Sequence, residues 1–318
     1  MDIGSGKRSD VAADSKLSQS KLNMKLAPNI KETFLTVNGF RDAVIELQAS
    51  KVYRFRIVNT IIDGSLFLNS GLGCSWVVTA ADGINFQRPR SSHVGILIPP
   101  GSRRDILVQC IADSVIRSTF ADSLAFLGNK TKIVNMDLFE IKSIGLPNTK
   151  PPLSLENAFT QTIKMSDLRN PNLNVSKRII EYTQGGPSTP KVTRGSNSYT
   201  FYGINGVAFD GRSMFDVRLG QVQEWVIRNE YNMDGSMATE SHPFHLHTNH
   251  FQVVSVASKG NFTADFEIGD WRDTISVPAP GNVTIRWKPL DFTGKTLLHC
   301  HTLMHEDTGM MQAFNIIE

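Results

Sequence analysis

Val283-Thr284-Ile285-Arg286-Trp287 alternates apolar and polar residues. Successive side chains of an extended strand point to opposite faces, so Val283, Ile285 and Trp287 share one face and Thr284 and Arg286 the other. Working outward, Val52–Val58 sets Phe55 and Ile57 against Arg54 and Arg56 in the same way. Val94–Ile98, Ile106–Gln109 and Phe251–Val256 are further short apolar or β-branched runs, punctuated by Gly, Pro, Asn and Asp. No long stretch holds a helical apolar period, so helices should be few and short. The expected fold class is all-β.

The chain also repeats itself. An early stretch reads Val37-Asn38-Gly39, Ile45-Glu46-Leu47, a strand closing at Asn59, then Pro100-Gly101 leading into Ile106-Leu107-Val108. A late stretch reads Ile204-Asn205-Gly206, Val217-Arg218-Leu219, a strand closing at Asn229, then Pro280-Gly281 leading into Val283–Trp287. Asn-Gly alone is merely a good turn. The shared order of all these elements argues for two copies of one β-sandwich domain. Pro147, Pro151 and Pro152 with polar neighbours mark a linker. The expected division is a polar N-terminal segment at 1–32, a first domain at 33–143, a linker at 144–175 and a second domain at 176–318.

At 318 residues the chain can bury two cores of ordinary size. Its net charge of +3 gives no reason to expect nucleic acid or an anionic membrane as partner. No apolar run approaches the ~20 residues that span a bilayer. Met1–Glu32 is polar and lacks the apolar region of a secretory signal. Of the three cysteines, Cys74 and Cys110 stand in the first copy, where a disulfide and two buried thiols are both open readings. Cys300 is left over.

Six of the eight histidines fall into two clusters: His242-Pro243-Phe244-His245-Leu246-His247, and His299-Cys300-His301 followed by His305, with Met310 beyond. On a strand, residues two apart share a face, so His245 and His247 can converge on one site, as can His299 and His301. Cys300 points the other way. A metal held by Cys300 and a metal held by its two neighbours would lie on opposite sides of one strand, joined by a few covalent bonds. Cys300 with two imidazoles and a weak axial thioether is the donor set that selects copper for electron transfer. His305 and Met310 are expected in the loop after the Cys300 strand, and His242 supplies the second imidazole. A closed zinc site asks for four ligands, and this constellation has too many, in two groups.

His-Pro-Phe-His-Leu-His and His-Cys-His-x-x-x-His-Glu-Asp-Thr-Gly-Met-Met resemble the two C-terminal copper signatures of three-domain multicopper oxidases. Trp271-Arg272-Asp273-Thr274 with Val277-Pro278 resembles that family's third domain. Ala81-Asp82-Gly83 with Pro100-Gly101 and Arg104-Asp105 resembles its second. The resemblance implies two cupredoxin-like Greek-key β-sandwiches in tandem. It makes His242, Cys300 and His305 ligands of type 1 copper with Met310 axial, Met311 being the other candidate. His245 would bind type 2 copper, and His247, His299 and His301 the type 3 pair. Glu306 would be a proton donor to oxygen, against the competing reading of a solvated carboxylate. The implied function is one-electron oxidation of a small reductant (phenol, pigment or metal ion) coupled to reduction of dioxygen to water, in an extracellular or periplasmic protein.

The family's other histidine ligands come from two His-x-His motifs in its first domain, and this chain has neither. His93 reads as an exposed loop residue and His250 as a flanking residue that does not ligate. The chain therefore looks like the second and third domains without the first, and should bind about one copper tightly. Three readings follow: an oxidase truncated in sequence, a finished copper-binding or electron-transfer protein without oxygen reduction, or a chain completed by a partner. The absent signal segment favours truncation.

Overall fold

In the computed structural model the described residues are 35–91, 95–120, 134–146, 165–186, 188–194, 197–260 and 262–318. The 1–32 segment, His93 and most of the linker therefore lie outside them. The first half forms β1 (Ala43–Gln48), β2 (Val52–Val58), β3 (Leu66–Asn69), β4 (Cys74–Ala81), β5 (Ile84–Ser91), β6 (Ile96–Ile98), β7 (Arg103–Cys110), β8 (Ser114–Phe120) and β9 (Val134–Ile144). These strands make two facing sheets, ordered β1-β9-β8-β3-β6 and β2-β7-β4-β5.

The second half begins with β10 (Val175–Gln184), a hairpin of β11 (Val192–Arg194) and β12 (Asn197–Tyr199), then β13 (Tyr202–Ile204), β14 (Ser213–Arg218) and β15 (Val222–Asn229). It continues with β16 (His242–Leu246), β17 (Phe251–Ser258), β18 (Trp271–Arg272), β19 (Thr274–Val277), β20 (Gly281–Trp287) and β21 (Gly294–Cys300). One turn of helix, α1 (Leu303–Thr308), precedes the closing strand β22 (Met311–Ile317). The two sheets here run β13-β10-β15-β20-β17-β18 and β14-β22-β21-β16-β19. The molecule is two cupredoxin-like Greek-key sandwiches in tandem.

The repeat read from the sequence recurs bond for bond. Asn38-Gly39 and Asn205-Gly206 both adopt positive φ, near 52° at each Asn, and each closes a one-bridge hairpin, Val37↔Phe40 and Ile204↔Val207. Paired positive φ is the primed hairpin turn that Asn-Gly favours. β1 pairs in parallel with β9, and β14 pairs in parallel with β22. The turn after each first strand repeats too: Lys51 N donates to Gln48 O and Gln221 N to Arg218 O, both at 3.2 Å.

Alternation explains the cores. Val283, Ile285 and Trp287 of β20 are fully buried against Trp225, Phe251 and Phe314. Trp225 meets Trp287 edge to face at 4.9 Å. Burying one such side chain contributes about 1.5–3 kcal/mol. Arg286, on the opposite face as alternation requires, is also buried. Its Nε donates to Glu224 at 2.8 Å, and Nη1 donates to the carbonyls of Leu168 and Asn170 at 2.8 and 2.9 Å. Residues 168–170 thus cover the outer face of the sheet. The core also contains Cys300 and Met310.

Cys74 and Cys110 sit directly opposite on β4 and β7 and form a disulfide, which decides between the two readings left open above. Cys300 is buried and unbridged.

A buried ion cluster joins the sandwiches. Arg272 Nε donates to Asp82 at 2.6 Å and Arg272 Nη2 to Asp265 at 2.8 Å, with all three side chains shut off from solvent. Arg104 reaches Asp265 at 3.2 Å, and Ser102 donates to Asp82 at 2.7 Å. Burial works to raise the Asp82 carboxyl, but Arg272 and Arg104 overcome it and hold the group well below the usual range. Burial likewise pulls Arg104 down to about 10. Charges this buried are tolerated only because each finds several partners.

Candidate metal centre

His242 opens β16 and Cys300 ends β21, the strand beside it, where Phe244 faces Cys300 and His245 faces His299. His305 was expected in a loop; it sits instead on α1, which turns the chain back over Cys300. Met310 N then donates to His305 O at 2.8 Å and Cys300 N to Met310 O at 3.0 Å, drawing Met310 into the core.

Cys300 Sγ lies 3.6 Å from the Nδ1 of both His242 and His305, and those nitrogens are 3.1 Å apart. The centre of a triangle with these sides lies about 2.0 Å from each atom, the length of a metal–imidazole bond. The outward nitrogens are engaged elsewhere. His242 Nε2 donates to Gln184 Oε1 at 3.1 Å, and His305 Nε2 is 3.6 Å from the Glu240 carboxylate. His242 thereby turns its Nδ1 lone pair toward the thiol. Two ring nitrogens and a thiol converging on one point about 2 Å from each make a donor set that fits a metal. Tyr202 stacks on His305 with ring centroids 4.1 Å apart, and Tyr182 packs against His242 at 5.0 Å.

Burial sets the protonation of this group. It holds His242 well below the ordinary imidazole range, aided by the charge of His305, and pushes His305 down to about 4. It pushes the Cys300 thiol well up. The imidazoles are therefore neutral and ready to ligate, while the thiol must give up its proton to a metal.

The second group lies on the other face of the Cys300 strand. His245, His247 and His299 each offer one nitrogen within 4.8 Å of the others. His247 Nε2 and His299 Nε2 are 3.0 Å apart. His301 joins them, its ring 5.4 Å from His245 and 5.3 Å from His299. His299 Nδ1 donates to the Cys300 carbonyl at 3.0 Å, leaving Nε2 as the ligating atom, the reverse of the first group. Burial pushes His245 down to about 4, with Asp273 opposing, and His299 down to about 3.

Glu306 is half-buried and, with His301, lines a cavity of about 300 Å³ together with Ile61, Ile62, Gly101 and Leu303. Burial, then Asp307, raises its carboxyl while His301 opposes. His250 donates to the Asp82 carbonyl at 2.8 Å and lies apart from both groups. Gln184, Glu240, Tyr182 and Tyr202 carried no signal in the sequence that ties them to a metal.

Residues 181–318 match the family model described as multicopper oxidase. The chain is 27% identical to laccase-11 of Arabidopsis thaliana over 85% of its own length and 58% of that protein. It is 25% identical to bilirubin oxidase of Albifimbria verrucaria over 83% and 44% respectively. The chain thus spans about half the length of these relatives. Among solved structures, a multicopper oxidase from Campylobacter jejuni superposes with a TM-score of 0.68 at 23% identity, covering 92% of this chain and 58% of that one, a likeness of fold. The motifs, the fold and the relatives agree: residues 181–318 carry the multicopper oxidase pattern, and the chain is similar to multicopper oxidases over most of its length.

Proposed function

We propose that the chain is the electron-accepting part of a copper-dependent oxidoreductase. Cys300, His242 and His305, with Met310 axial, would hold type 1 copper. His245 would serve type 2 copper, and His247, His299 and His301 the type 3 pair. The single observation that carries this reading is the Cys300 strand: a trigonal His₂Cys group on one face and a histidine group on the other, bridged by adjacent residues. Bound in such a set, copper supplies reversible one-electron transfer.

The chain's own residues do the rest. Gln184 fixes the outer nitrogen of His242, and the Glu240 carboxylate faces that of His305. The covalent bonds from Cys300 into His299 and His301 give an electron a short path between the groups. Glu306, its carboxyl raised by burial, lies with His301 on the cavity, a placement that suits a proton donor to reduced oxygen. In the whole protein this chemistry would couple oxidation of a small reductant to reduction of dioxygen to water, outside the cytoplasm. We take 33–143 and 176–318 as the two domains, joined by 144–175. Tyr231, Met233 and Met237 are exposed on the loop leading to Glu240. An apolar rim beside the Asp234 and Glu240 carboxylates suits a phenolic reductant.

The test is anaerobic mixing of the copper-loaded chain with a hydroquinone. The visible thiolate-to-copper band should bleach, and ferricyanide should restore it. A band that forms but never bleaches would contradict an electron-accepting role.

A further inference from the structure

His245 Nδ1 lies 2.9 Å from Thr274 Oγ1 and 3.0 Å from the Asp273 carbonyl. The Thr274 hydroxyl donates to Asp273 Oδ1 at 2.8 Å, so toward His245 it can only accept. Both neighbours of His245 Nδ1 are therefore acceptors. The Asp273 carboxylate is gripped from the other sandwich: Arg103 Nη1 and Nη2 each donate to one of its oxygens at 2.6 Å. Both ends of that pair are tied to the same buried carboxylate. Arg103 N donates to Asp82 Oδ1 at 2.9 Å, and Arg272, next to Asp273, donates to Asp82 Oδ2 at 2.6 Å.

We infer that Arg103, from the first sandwich, is a positioning residue for His245. It fixes the Asp273–Thr274 acceptors, which hold His245 as its Nδ1–H tautomer and leave Nε2 to face His247 and His299. The role toward a metal rests on the proposed ligation by His245; the tautomer does not. A ligand histidine whose second nitrogen is anchored in this way keeps its ring orientation and ligand strength. A bidentate guanidinium is the group that can fix a carboxylate in both direction and rotation, which a lysine cannot do. The first sandwich then sets the ligating atom of a residue 142 positions away in sequence.

The experiment is long-range ¹H–¹⁵N NMR of the metal-free chain labelled with ¹⁵N-histidine, at a pH where the imidazoles are neutral. His245 should be Nδ1–H in the native chain and a mixture of tautomers in Arg103→Gln. His299, whose Nδ1 is bonded to the Cys300 carbonyl, should be unchanged in both and serves as the internal control. Arg103→Lys, which keeps the charge and protects folding, should show the same change to a smaller degree. Zinc added to each chain should reach His245 about 10–100-fold more weakly in Arg103→Gln. An Nε2–H His245 in the native chain, or an unaltered His245 in both variants, overturns the inference and leaves Arg103–Asp273 a salt bridge between sandwiches. Zinc that never perturbs His245 in the native chain, with the tautomer as stated, refutes ligation and the role toward metal but not the tautomer.

Discussion

Gly101→Ala tests how closely the first sandwich is moulded to the histidine face of the second. Gly101 holds φ at +77°, and a Cβ built there would lie 2.2, 2.4 and 2.6 Å from Cδ2, Nε2 and Cγ of His301. Ordinary contact begins near 3.4 Å, so the imidazole must retreat by roughly 1 Å, a displacement that can cost on the order of 100-fold when it falls on a working group. The turn cannot yield easily, because Gly101 N donates to Asn59 O at 2.9 Å and Ser102 N to Pro99 O at 3.0 Å. The left-handed backbone adds about 1–2 kcal/mol for alanine. The variant should therefore fold, lose about 1–2 kcal/mol in urea unfolding, and bind zinc through His301 far more weakly, as read from the labelled His301 resonances. Unshifted His301 resonances and unchanged zinc affinity would refute the close fit.

Other perturbations have equally definite outcomes. Asp82→Ala strands Arg272 and Arg104 with Asp265 as their remaining carboxylate partner, and should cost about 3–5 kcal/mol in denaturant unfolding; a loss under about 1 kcal/mol would show the cluster to be incidental. Cys300→Ser should abolish the visible band of the copper-loaded chain, while zinc still perturbs His245, His247 and His299. Stability of the metal-free chain should depend on pH in a set direction. Burial holds His245 and His305 near 4 and His299 near 3 in the folded chain, against 6.5 in the unfolded one. From pH 6.5 down to about 4 the unfolded chain therefore takes up more protons, and stability should fall across that window. Unfolding midpoints that stay flat there would contradict the burial of these rings.

Much of this was legible because it is local. The period-two strand rule puts His299 and His301 on one face and Cys300 on the other, and the paired Asn-Gly turns announce the repeated sandwich. The turn of helix carrying His305 was not legible, since six residues are too few to show a period. Nor was Cys74–Cys110, because only strand pairing puts the two opposite each other. The supports of the rings were hidden for a different reason. Gln184 meets His242 across 58 residues, and Arg103 meets Asp273 across 170. Such pairs are set by how sheets stack, and nothing in a neighbouring residue signals them. Alternation puts Arg286 opposite the core face, but it does not show that residues 168–170 cover that side.

Copper titration of the purified chain, followed by visible absorption and metal analysis, tests the central claim most directly. One equivalent should produce an intense blue thiolate-to-copper band that is lost in Cys300→Ser and in His305→Ala. Copper that binds without that band, or a band that survives removal of His305, would mean that Cys300, His242 and His305 do not hold type 1 copper.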